Sequence, residues 1–410
     1  MAIGRRGLRG VNRALALAFG LLAFGVLALC FEARTALAQD WSFESSLSQR
    51  MGYNSNVLLQ PSDEISAFSS QTTPDFTLSR SGPTSNVSLN GRFEFTEYFA
   101  HSDLNSADQF GKLNLSKAFS ERSTLQFSGA VDRDTTLESD EDATGRFVNE
   151  AIRFVRWDAS PTWQYLLSPI DKVSVSARYL RVSYDSSDKT DYQDYGPTVT
   201  YSHDLSELAS VYASLNYSRF EPDEQRNDLD AEAGTQGNQD TYGGLLGYDY
   251  HPTERFTIGG AAGLNYNVTH QDGQKDSGEI GYRFQFTMNY QINDQTNADV
   301  SLSRDTEPTG DGEERTRNRG SVRLGYKMTE MTSFALDTSY IDDQETQSND
   351  GVARYLTVTP SVQWSITEEL SLQATYQFRY KNVESDGSAY DNAAFITLRY
   401  ALPDFNWSGF

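Results

Sequence analysis

From Leu370 to Lys381 the chain alternates residue by residue. Leu370, Leu372, Ala374, Tyr376, Phe378 and Tyr380 are interleaved with Ser371, Gln373, Thr375, Gln377, Arg379 and Lys381. Successive side chains of a strand point to opposite faces, so such a segment has one apolar and one polar wall. Ile280 to Ile292 repeats the pattern, with Tyr282, Phe284, Phe286, Met288 and Tyr290 against Arg283, Gln285, Thr287, Asn289 and Gln291. Phe256 to Val268 does the same with smaller residues, placing Ile258, Leu264 and Tyr266 opposite Asn265 and Asn267. A helix would space its apolar residues three and four apart, and these segments do not.

The connections between such segments come in two kinds that alternate along the chain. The short ones are built alike: Ser120-Glu121-Arg122, Ser168-Pro169-Ile170-Asp171, Leu205-Ser206-Glu207, Pro252-Thr253-Glu254, Asn293-Asp294-Gln295, Thr329-Glu330-Met331 and Thr367-Glu368-Glu369, with Ser81-Gly82-Pro83 as an eighth. The long ones are polar and acidic, including Asp134–Glu150, Glu221–Asp240, Thr306–Arg317, Asp342–Val352 and Glu384–Asp391. The spacing predicts about 18 strands (16–18), each with the roughly 9–11 residues that span a bilayer. In lipid every backbone N–H and C=O needs an internal partner, so a spanning sheet must close on itself. The expected fold class is therefore all-β: a closed antiparallel transmembrane β-barrel with short periplasmic turns and long acidic outer loops. A secreted sandwich or solenoid with one wet face is the competing architecture, but sandwiches mix loop lengths at both ends.

The first 38 residues fix the expected compartment. Arg5, Arg6, Arg9 and Arg13 precede an uncharged apolar run from Ala14 to Phe31, and Ala36-Leu37-Ala38 closes it. This is the layout of a secretory signal peptide cleaved before Gln39, leaving 39–410 as the barrel. A retained membrane helix is the alternative, since the run just reaches spanning length. Cys30 is the sole cysteine, and Leu29 stands before it where a lipoprotein would carry a small residue. The mature chain thus has no disulfide, thiol nucleophile or cysteine metal site. Removing five Arg and one Glu leaves 29 basic and 56 acidic residues, a net charge of −27. Such a surface repels phosphate and excludes nucleic acid as a partner. With 23 Tyr and 23 Phe, the composition is too aromatic for acidic disorder.

Pro74, Pro161, Pro197 and Pro360 each fall in a strand running toward a short turn, as Thr73-Pro74-Asp75-Phe76, Ser160-Pro161-Thr162-Trp163, Gly196-Pro197-Thr198-Val199 and Thr359-Pro360-Ser361-Val362. Proline removes a ladder hydrogen bond, so a bulge tolerated at one depth of a repeated hairpin is expected. Near the mature start, Arg50-Met51-Gly52-Tyr53-Asn54-Ser55-Asn56-Val57 ends the first strand. That stretch, the proline-bearing repeat and the Ser/Thr-Glu turns together resemble an outer-membrane β-barrel porin family whose members often accompany exopolysaccharide synthesis and export systems. The resemblance implies a polymer conduit of a Gram-negative outer membrane. Lipid, lipopolysaccharide, the barrel-assembly machinery and polysaccharide-export components would be its partners.

Little points to catalysis. His203 and His251 fall at short turns, while His101 and His270 border outer loops, and none pairs within a short motif with Ser or Asp on an inward face. The acidic runs Glu138-Ser139-Asp140-Glu141-Asp142 and Asp223-Glu224 with Asp228 and Asp230 lack the oxygen spacing and glycine of a calcium loop. They read as a solvated rim that attracts divalent cations loosely, with no bound metal or cofactor expected. The wall is more informative. With apolar residues outward, Arg283, Arg323, Lys327, Arg379, Lys381 and Arg399 face inward as a charge track, and Glu94 and Asp132 face inward on early strands, with Arg92 beside Glu94. Charge ladders of this kind tune pore selectivity, so the expected cargo is anionic. Inward charges that merely keep a lumen wet are the plainer reading. A diffusion porin and a non-conducting structural or adhesive barrel remain alternatives.

Overall fold

The computed structural model describes residues 39–136, 151–186, 189–223, 237–270, 275–345, 352–384 and 387–409. The segment 1–38, with its signal-peptide pattern, and the 138–142 acidic run lie outside the described residues, as do Glu224, Asp228 and Asp230. Eighteen strands follow in order: β1 (Gln39–Asn54), β2 (Ala67–Ser81), β3 (Ser85–Tyr98), β4 (Ser106–Ser120), β5 (Ser123–Thr135), β6 (Arg153–Leu166), β7 (Asp171–Tyr184), β8 (Tyr192–Ser206), β9 (Ala209–Pro222), β10 (Asn238–Thr253), β11 (Phe256–His270), β12 (Ser277–Gln291), β13 (Thr296–Pro308), β14 (Glu314–Lys327), β15 (Thr332–Glu345), β16 (Ala353–Ser365), β17 (Leu370–Val383) and β18, the last in two segments, Gly387–Ala401 and Phe405–Gly409. Each pairs antiparallel with its sequence neighbours, and β1 pairs with both β2 and β18, which closes the sheet into a barrel. Pro403 interrupts β18, yet the ladder resumes with Phe405 opposite Phe43 and Trp407 opposite Trp41.

All eight short connections lie between strands β2–β3, β4–β5 and so on to β16–β17, hence at one end of the barrel. Their recurring Ser, Thr or Asn has a local task. Thr329 Oγ1 accepts from the backbone N–H of Met331 and Thr332 (3.2 and 3.0 Å). Thr367 does the same for Glu369 and Leu370, and Asn293 Oδ1 accepts from Gln295 N at 2.9 Å. A side-chain oxygen that satisfies the turn's own amides makes a tight reversal without glycine.

The outer face follows the sequence alternation. Leu215 and Leu246 are 71% exposed, a placement that only lipid makes favourable. Aromatic rows bound the apolar band. Tyr217 packs on Tyr242 at 5.2 Å toward the outer end, while Tyr326–Phe334 (6.4 Å) and Phe256–Tyr290 (5.4 Å) lie toward the turns. On β12 the band runs from Tyr282 to Tyr290, close to the reach a tilted spanning strand needs. Strands are 13 to 16 residues long, so their outer ends stand clear of the membrane. Two stretches expected as loops, Thr306–Arg317 and Glu384–Asp391, are largely strand, because β13 runs to Pro308, β14 starts at Glu314 and β18 starts at Gly387.

The four prolines do not produce bulges. At each, the ladder toward the next strand skips two positions and resumes in unchanged register: Thr72↔Phe95 then Asp75↔Arg92, Ala159↔Tyr179 then Thr162↔Ser176, Tyr195↔Arg219 then Thr198↔Asn216, and Val358↔Phe378 then Ser361↔Thr375. Proline lacks the donor for that side, while pairing on its other side continues, as in Leu47↔Pro74. At Gly196 a Cβ would stand 1.9 Å from the Tyr217 carbonyl oxygen, so only glycine lets the strands approach beside that gap. Gly196→Ala should therefore displace backbone at a cost of about 1–3 kcal/mol. It is expected to lower the urea midpoint for loss of the fast-migrating folded band on gels, whereas Gly111→Ala, where the nearest atom is 3.8 Å away, should not.

Candidate functional site in the barrel lumen

The side chains opposite the lipid face line the lumen. Register carries one inward set around the barrel, including Arg50, Asp75, Arg92, Glu94, Asp132 and Asp158 on the early strands, and Arg283, Asp305, Arg323, Asp337, Arg379 and Asp391 on the late ones. Arg283, Arg323, Lys327, Arg379, Lys381 and Arg399 all belong to it, at different depths. Lys327 and Arg399 lie near the turns, Arg323 and Arg283 lie higher, and Arg379 and Lys381 lie toward the outer end. They do not form a run of uncompensated charge. Arg283 Nη2 bonds Asp305 Oδ2 at 2.7 Å and its Nη1 bonds Asn216. Arg323 pairs with Asp337, Arg379 with Asp391, and Arg399 with Asp75 at 3.8 Å. A carboxylate on the neighbouring strand faces most of these cations, because cross-strand pairs on one wall sit within ion-pair reach. The lumen is a mosaic of paired charges.

Arg379 belongs to a latch. Asp391 has no exposed surface and accepts from Arg379 Nε and Nη2 (3.2 and 2.9 Å), Asn54 Nδ2 (3.1 Å), Ser55 Oγ (3.1 Å) and Asn56 N (2.8 Å). Arg379 Nη2 also donates to the Val57 carbonyl at 3.3 Å. These bonds turn the 55–66 connection into the barrel mouth. Leu59 then packs with Ile341, Ala353, Tyr355 and Ala389, while Val57 and Leu58 pack with Ala67, Tyr98 and Leu104. Leu59 takes a left-handed φ of 49°, uncommon for a branched side chain, within this packing. The sequence signal was the run Asn54-Ser55-Asn56, three adjacent polar side chains beside an apolar Val57-Leu58-Leu59.

A second element enters the mouth from another side. β12 pairs with β13 only from Phe284↔Arg304 to Gln291↔Asn297, although β11 follows β12 up to Ser277 and β14 follows β13 up to Pro308. Above Arg304 β13 parts from β12 and the β13–β14 tip leans inward, with β14 still paired to β15 up to Arg315↔Glu345. Asn265 Nδ2 of β11 donates to Thr306 Oγ1 (3.2 Å), and Thr241 Oγ1 of β10 donates to Glu314 Oε2 (3.5 Å). The Thr190 amide donates to the Gly310 carbonyl (2.7 Å), and Lys189 Nζ reaches Asp311 at 2.8 Å. Where it lands, the inner wall is apolar: Phe154, Leu180, Val182, Tyr192 and Phe220 are buried together, and Tyr184 packs against them. Apolar residues face inward here, against the rule that holds below. Within the tip, Arg317 is 1% exposed between Glu307 (2.6 Å) and Asp343 (3.4 Å).

Beside the 55–66 connection, which contributes Val57, lies a lumen cavity of about 450 Å³, lined by residues of β1–β5 and β15–β18 that include Arg50, Gln71, Arg92, Gln377, Phe110 and Phe395. Arg50 lies over the Phe395 ring at 3.5 Å and Arg92 over Phe110 at 4.1 Å. Half of the Arg92 side chain remains exposed despite its pair with Glu94 (3.2 Å). The histidines lie away from this cavity: His203 bonds Asp171 at a turn, His251 bonds the Glu207 carbonyl, and His270 sits between Asp240 and Asp276 on the outer rim.

A closed antiparallel 18-strand sheet with an apolar outer band, aromatic girdles and a polar interior defines a transmembrane β-barrel of the bacterial outer-membrane type. No protein-family model and no curated protein sequence matches the chain. Among solved structures it is similar to the FrpB iron transporter from Neisseria meningitidis (F3-3 variant), with 11% identity, TM-score 0.46, and coverage of 83% of this chain and 62% of that one. It is likewise similar to the copper transporter OprC, with 11% identity, TM-score 0.47, and 87% and 64% coverage. OccK11 from Pseudomonas aeruginosa gives 11% identity, TM-score 0.44, and 88% and 96% coverage. The chain thus spans less than two thirds of the length of that FrpB variant and of OprC.

Proposed function

We propose that residues 39–410, exported by a cleaved 1–38 signal, form an outer-membrane conduit for passive passage of a polar solute or an extended polysaccharide, with acidic sugars favoured. The observation that carries this reading is the cavity of about 450 Å³ between Arg50–Phe395 and Arg92–Phe110. Guanidinium edges held on aromatic rings suit carboxylates, and Gln71 and Gln377 supply amide groups for hydroxyls. Arg283, Arg323 and Arg399 do not line this cavity, and Arg379, which does, is only 8% exposed and held by Asp391. Selectivity then rests on Arg50 and Arg92.

A planar bilayer with a salt gradient tests this. The native protein should give an anion-side reversal potential, and Arg50→Gln with Arg92→Gln should move it toward the cation side. Cation selectivity untouched by that double change would overturn the anionic preference. A non-conducting structural barrel is the second reading, favoured by the two elements that fold into the mouth. Absence of any conductance from native protein and from every variant would decide for it.

A further inference from the structure

The β12–β13 ladder stops at Phe284↔Arg304, which leaves Ser277–Arg283 of β12 and Asp305–Pro308 of β13 outside it. A strand edge exposes donors and acceptors that seek a partner. Continuing this register would place Glu307 opposite Gly281 and Thr309 opposite Glu279. The β13–β14 tip therefore has two homes. One is the inner wall of β7–β11, where it lies in this structure; the other is the free edge of β12.

We infer that residues 306–317 form a gate, closed when the tip crosses the mouth to Lys189 and Thr190 and open when β13 zips onto β12. The inference rests on the conduit reading and adds its regulation. Among the described residues the closed form is held by contacts that include the Thr190–Gly310 backbone bond, the Lys189–Asp311 pair, the Asn265–Thr306 and Thr241–Glu314 bonds, and the approach of Gly310 to the Tyr184 ring. The open form replaces them with ladder hydrogen bonds, so the two can lie close in free energy. The Arg283–Asp305 pair stands at the fork, one position beyond the last bonded pair, Phe284↔Arg304.

Two cross-links test the gate, in a mature chain free of other cysteines. Lys189→Cys with Asp311→Cys, joined by a short bismaleimide, should hold the tip across the mouth and lower bilayer conductance severalfold. Glu279→Cys with Thr309→Cys, facing each other only if β13 zips onto β12, should form a disulfide that raises conductance and is reversed by a reductant. Equal conductance from both cross-linked forms would disprove the gate and leave the conduit standing. No conductance from the Glu279–Thr309 form would overturn both.

Discussion

Asp391→Ala should unseat the 55–66 connection and cost about 3–5 kcal/mol, because it leaves the Arg379 guanidinium buried without its carboxylate. Both partners are nearly inaccessible, with side-chain exposures of 8% for Arg379 and none for Asp391. The same change removes the acceptor for Asn54, Ser55 and the Asn56 amide, so the donors that set the turn into the mouth lose their common anchor. Urea unfolding in detergent, followed by gel mobility of the folded band, should show a midpoint well below that of the native protein. Replacing both partners together, Asp391→Leu with Arg379→Met, should recover much of the loss, since apolar substitutes of like volume leave no bare charge. A single change as mild as the double one would mean the pair is dispensable. In bilayers the single change should also raise current noise, as Leu58 and Leu59 lose the anchor that seats them.

The second large effect concerns the membrane face. Phe286 lies midway between the girdle residues Tyr282 and Tyr290 on β12, and Gln285 points the other way. Phe286→Arg places a charge near the bilayer midplane and should cost about 2–4 kcal/mol, while Gln285→Arg should cost far less. Folding yield into lipid vesicles checks both. Equal losses would mean that the outer face is not lipid-facing at this depth.

Both faces of β12 and β17 were legible from alternation alone, because a closed sheet in lipid tolerates no mixed face. The turns were legible too, through Thr329, Thr367 and Asn293, whose side chains act within three residues. What escaped the sequence depends on distant partners. Arg379 was visible as an inward cation, but Asp391 looked like part of an acidic loop, and only β17–β18 register joins them. Thr306–Arg317 read as a polar, acidic connection because Glu307, Asp311, Glu313 and Glu314 crowd it, whereas the structure neutralises Arg317 against Glu307 and Asp343 inside the mouth. Phe154, Leu180 and Val182 sit on the nominally polar face for the same reason: a cover arrives from elsewhere in the chain.

The way β1 is bonded sets a timetable for assembly. Its one flank, Asp40–Asn54, zips to β2 across a neighbouring connection, but its other flank waits for Ala393–Ala401 and then Phe405–Gly409 from the far end of the chain. Until those arrive, β1 presents a bare edge, the template for wrong pairing with another chain. Contacts so remote in sequence form slowly. The seam is also made in two stages, with Pro403 between them, so the outer half can be sealed while the Trp41–Trp407 stack at the other end still stands apart. Any catalyst of insertion would do most for this protein by holding that one edge until the final residues reach it.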